Sequence, residues 1–120
     1  MAAFNVPIVE DEWLIARDYA SAIHAGGHVT IGPAQTVARA LAMLDTERVD
    51  IAILDYQLGA ETSASVVARL NKNGIAFLVV TGHAIADLPP EFAAGKMAAK
   101  PADPHWLKAR IEQLATHLPR

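Results

Sequence analysis

Residues able to do chemistry follow directly on apolar runs at four places in this sequence. Glu10, Asp11 and Glu12 follow residues 4–9, and Asp55 follows "IAIL". Thr81 and Gly82 follow residues 75–80, and Lys100 follows residues 96–99. Brought to one place, these would put several carboxylates beside a hydroxyl and an ammonium. Crowded carboxylates repel, and some stay protonated unless a cation joins them. A hard divalent ion with oxygen ligands resolves that conflict, and magnesium is commonly held by one or two carboxylates plus phosphate oxygens. Lysine and threonine across the same site suit the charge and oxygens of a transferred phosphoryl group. The combination reads as a carboxylate nucleophile, a metal pocket and two phosphoryl stabilisers.

The elements needed to bring them together are legible. Five apolar strand-like runs alternate with helix-period segments, the pattern of a parallel sheet with crossover helices. Strands are expected at residues 4–9, 29–31, 51–54, 75–80 and near 96–99. In an open α/β sheet the C-terminal strand ends share one edge, where ligands gather. The first helix should bury Leu14, Ile15, Tyr19, Ala22 and Ile23, ending at the glycines of "AGGH". "GP" should open the second, with Pro33 in its first turn and Val37, Ala40, Leu41 and Leu44 buried. Helix three should bury Val66, Val67 and Leu70. The last is capped by Asp103, opened by Pro104, and repeats Leu107, Ile111, Leu114 and Leu118. Two places resist. Pro7 falls inside a strand that should be central, and Pro89 and Pro90 leave room for a turn on either side rather than a full fourth helix.

Bulk composition narrows the function. At 120 residues the chain suffices for one domain with one sizeable core, and 52% hydrophobic residues against 19% charged exclude disorder. Ten basic and 13 acidic residues give a net charge of −3, and the basic ones form no run, so nucleic acid is not an expected partner. There is no cysteine, which fits a reducing compartment. The start of the chain lacks a signal-peptide pattern, and the longest apolar run is too short for a bilayer. A soluble, cytoplasmic domain with no membrane partner and no attached effector domain is expected.

The pieces "VED" (9–11), "ILD" (53–55), "VVTG" (79–82) and "KP" (100–101), in this order on these strand ends, resemble the receiver domain of two-component response regulators. The resemblance spans essentially the whole chain. It implies a flavodoxin-like (βα)5 fold, doubly wound about a five-stranded parallel sheet, here with a short or irregular fourth helix. It implies that Asp55 is the phosphoacceptor, and that Glu10, Asp11, Asp55 and the Gln57 backbone carbonyl bind Mg2+. Thr81 and Lys100 would contact the phosphoryl oxygens. A sensor histidine kinase or histidine phosphotransferase would supply the phosphoryl group, and a downstream regulatory protein would read it. "AFLVVTGH" further resembles the strand-four signature of the single-domain FAT GUY regulators, matching at Phe77, Thr81 and Gly82. Met97 stands where receivers usually carry a switch aromatic, and Ala102 where a ring usually follows the lysine–proline pair. Output is therefore expected through the segment 81–92, with His83 and Ile85 repacking, rather than through Met97.

Other readings stay open on the residues alone. A flavin carrier on the same fold would need a hydroxyl-rich phosphate loop where "EDEW" places acids. An aspartyl phosphatase or phosphotransferase would want a second aspartate two residues past the nucleophile, where Gln57 stands. A pseudo-receiver that binds partners without phosphorylation remains. Glu12 reads as an exposed first-turn acid, and His24 and His28, separated by Gly26 and Gly27, do not form a helical metal pair.

Overall fold

Ile51, Ala52, Ile53 and Leu54 are all buried, the mark of a strand covered on both faces. In the computed structural model, which describes residues 3–100 and 103–116, they form β3 (Ile51–Leu54) at the centre of a five-stranded sheet. The other strands are β1 (Asn5–Val9), β2 (Val29–Ala34), β6 (Ala76–Thr81) and β7 (Lys96–Ala99), in the order β2-β1-β3-β6-β7. All four pairings are parallel. The crossovers carry α1 (Trp13–Ala25), α2 (Val37–Thr46) and α3 (Ala64–Lys72), and α4 (Pro104–Ala115) follows β7. A short hairpin, β4 (Gln57–Leu58) and β5 (Glu61–Thr62), not foreseen from the sequence, lies between β3 and α3. This is the doubly wound flavodoxin-like architecture.

Strand alternation sorts the core into two layers. Val6 and Ile8, Ile51 and Ile53, Leu78 and Val80 pack with Tyr19 and Ile23 of α1 and with Leu107 and Ile111 of α4. Val9, Ala52 and Leu54, Phe77 and Val79 pack with Ala40 of α2, Val66 and Leu70 of α3, and Phe92. Each fully buried aliphatic side chain in these layers contributes roughly 1.5–3 kcal/mol. The next residue in phase after Ile8 is Glu10, after Ile53 is Asp55, and after Ala98 is Lys100. The polar cluster thus continues the α1/α4 layer beyond the sheet's C-terminal edge.

Two expectations change, and the two places where prolines resisted the pattern are accommodated as expected. Pro33 lies in β2, and α2 starts instead at Val37, where the Thr36 hydroxyl accepts the Arg39 N–H at 3.2 Å. An edge strand tolerates proline's missing donor. Gly32 before it has φ +93°, and a Cβ there would stand 2.7 Å from the Ala34 nitrogen. Leu14 is 63% exposed. It sits two residues, about 200°, from Ala16 on the helix and so faces away from the buried stripe. Pro7 is kept inside β1: pairing with β3 begins only at Ile8, and the register with β2 shifts between Pro7 and Val9. Pro89 and Pro90 replace a fourth helix by two 3-10 turns, Ile85–Asp87 and Pro90–Ala94, anchored by the fully buried Phe92. His24 and His28 bond separately, to the Thr30 hydroxyl and the Phe4 N–H. Leu118, Pro101 and Ala102 lie outside the described residues.

Candidate functional site

The Lys100 ammonium lies 2.7 Å from Asp55 Oδ2 and 2.8 Å from Glu10 Oε1, joining the ends of β1, β3 and β7. Glu10 is fully buried and Asp55 nearly so. The other Glu10 oxygen accepts the Glu12 N–H at 3.1 Å, while Oε1 meets Lys100 as an ion pair without an aligned hydrogen bond. Asp55 is fixed through its backbone. Its N–H donates to Val9 O at 3.0 Å, and its carbonyl accepts the buried Ser63 hydroxyl at 2.6 Å. Lys100 is fixed likewise, its N–H donating to Thr81 O at 2.8 Å. Asp11, half-buried, accepts the Gly59 N–H at 2.9 Å.

Electrostatics follow from this burial. Loss of water pushes the Glu10 carboxyl up to about 7, against the lowering effect of Lys100. For Lys100 burial works against the charge, but the hydrogen bond to Asp55 and the ion pair with Glu10 outweigh it and hold the ammonium above its ordinary range. Burial, then the nearby Glu10 charge, raises the Tyr19 hydroxyl. Glu10, Asp11 and Asp55 each offer an oxygen within 4.8 Å of the others. One ammonium cannot neutralise three carboxylates. The donor set is all oxygen and fits a hard divalent cation. An open cleft of about 380 Å³ gives access, lined by Asp11, Glu12, Asp55 and Lys100, with Gln57, Gly59, Gly82 and His83 completing it.

The sequence-derived set is thus brought together at Glu10, Asp11, Asp55, Gln57 and Lys100. Thr81 stands at the same edge but is fully buried, and its hydroxyl accepts the His83 N–H at 3.1 Å and lies 3.4 Å from His83 Nδ1. Met97 pairs with Val79 and packs in the α2/α3 layer, with no polar atom to reach the cleft. Three participants were missed. Ser63 and Gly59 act through hydrogen bonds across loops, which spacing does not reveal. Tyr56, next to Asp55, stacks edge-on with His83 at 5.3 Å and with Phe92 at 5.2 Å. An aromatic beside the acid was the available signal.

The chain superposes on SdrG from Sphingomonas melonis Fr1 with a TM-score of 0.82 and 30% sequence identity, over 96% of this chain and 99% of that one. It superposes on a CheY-like response regulator receiver domain protein from Methanospirillum hungatei JF-1 with a TM-score of 0.84 and 23% identity, over 96% of both chains. The chain belongs to the response regulator receiver family. The receiver also matches the anti-anti-sigma factor PhyR from Bartonella quintana, with a TM-score of 0.80 and 28% identity. That match covers 97% of the receiver and 49% of PhyR. No protein-family model matches the receiver, nor does any curated protein. Among the described residues no helix is long and apolar enough to cross a membrane.

Proposed function

We propose that this receiver accepts a phosphoryl group on Asp55 from the phosphohistidine of a sensor histidine kinase or histidine phosphotransferase. It would then signal, as a cytoplasmic domain, to a downstream regulatory protein by contact. One observation carries the reading: a single ammonium shared by Asp55 and Glu10 at the floor of an open cleft with three clustered carboxylates. An Asp55 carboxylate oxygen attacks phosphorus, the P–N bond breaks, and its electron pair leaves on the imidazole. Lys100 neutralises charge on the phosphoryl oxygens. Glu10, Asp11, Asp55 and the Gln57 carbonyl would hold magnesium, which would supply charge neutralisation between the two anionic groups. The donor is the partner's phosphohistidine or a small phosphodonor, so the receiver is a phosphoacceptor rather than an enzyme acting on a separate substrate.

The output reading rests on Thr81. The hydroxyl that would donate to a phosphoryl oxygen also contacts His83, and His83 is stacked on Tyr56, which is stacked on Phe92. Phosphorylation would therefore repack residues 81–92 and alter the surface around Ile85, which is 43% exposed. A local order change suits these short turns better than a rigid helix shift. Incubation with acetyl phosphate and magnesium tests the proposal. Acid-labile labelling of the parent that is absent from Asp55→Asn is expected; equal labelling of that folded variant would refute it.

A further inference from the structure

The paired strands of the hairpin between β3 and α3 are bridged by one side chain. Gln57 Nε2 donates to Gly59 O at 2.8 Å and to Glu61 O at 2.9 Å, so both of its N–H groups are used within the turn. Gly59, at φ +60°, adopts a left-handed conformation that glycine takes without strain. Its N–H points out of the hairpin and donates to Asp11 Oδ2 at 2.9 Å, across 48 residues of sequence. The other side of the hairpin is anchored too. Leu58 is 2% exposed, and the Glu61 carboxylate accepts the N–H of Val37, the first residue of α2, at 3.3 Å.

We infer that Gln57 is a positioning residue whose side chain clamps the hairpin so that the Gly59 N–H orients the Asp11 carboxylate toward the cation. Both amide protons are committed to backbone carbonyls of the turn. Magnesium demands near-ideal octahedral geometry, so a freely rotating carboxylate binds it less well than one already aimed. Hydrogen-bond partners of ligating groups commonly change metal affinity by 10–100-fold. This inference rests on the metal site proposed above and deepens it.

Gln57→Met keeps the side-chain length, adds no charge and removes both donors. In the metal-free protein the Gly59 amide should lose its protection from hydrogen exchange and shift upfield in NMR, with the melting transition still cooperative. Magnesium should bind about tenfold more weakly. Unchanged Gly59 protection, or lost protection with unchanged magnesium affinity, overturns the inference. A parent that binds no magnesium would instead overturn the metal site itself, and this inference with it.

Discussion

Replacing Glu10 by glutamine should flatten the pH dependence of stability in a way that can be calculated. Glu10 is fully buried, and burial raises its carboxyl from an ordinary 4.5 to about 7. Between those values the folded chain holds a proton that the unfolded chain has lost. Stability from this group is therefore fully present below pH 4.5 and is lost as pH rises through about 7. The shift corresponds to roughly 3 kcal/mol, or a melting temperature lower by about 10 °C for a domain of this size. The assay is thermal unfolding from pH 4.5 to 8 of parent and Glu10→Gln, without metal and then with magnesium. Other titrating groups are common to both proteins, so the difference between the curves isolates Glu10. The parent should lose up to about 3 kcal/mol more than the variant across that window. Magnesium, which favours the ionised carboxylate, should stabilise the parent most at high pH, by about 2.7 kcal/mol at a hundredfold excess over Kd. Parallel curves would refute the claim that Glu10 is a desolvated member of the pocket.

Lys100→Ala should destabilise the metal-free receiver by roughly 3–5 kcal/mol, because two buried carboxylates lose their shared cation. Urea unfolding should also show magnesium restoring part of that loss. Gly95→Ala should cost on the order of 2–3 kcal/mol, since the added methyl would overlap the buried Phe77 ring, while the cleft and Asp55 labelling remain intact. Tyr56→Leu removes the ring between His83 and Phe92. In NMR spectra, beryllofluoride should still shift Thr81 and Gly82 in this variant but no longer Phe92. Persistent shifts at Phe92 would show that the signal bypasses Tyr56.

The parallel sheet was legible because each strand is an apolar run ending in a polar residue, and the sheet edge collects those ends. That logic placed Glu10, Asp11, Asp55 and Lys100 at one edge, where the structure also brings them together. It failed where a residue's environment is set from across the fold. Pro33 resembles a helix opener, yet the edge position of β2 accepts it and Thr36 supplies the real cap. Leu14 matches an apolar helix pattern, but the stripe through Ala16, Tyr19 and Ile23 turns it to solvent. Thr81 stands at the expected sheet edge, with its hydroxyl accepting the His83 N–H within its own loop. The β4–β5 hairpin pairs only two residues a side and adds a glutamine amide and a glycine conformation, none of which produces a hydrophobic period.

The central claim is that Asp55, and no other carboxylate of the cluster, carries the phosphoryl group. Glu10 and Asp11 share its surroundings, so identity of the labelled residue decides more than labelling alone. Phosphorylated protein reduced with borohydride converts an aspartyl phosphate to homoserine, which peptide mass mapping locates. The account predicts homoserine at position 55 only, dependent on magnesium and on Lys100. Reduction products at position 10 or 11, or none in a folded, magnesium-bound receiver, would contradict it.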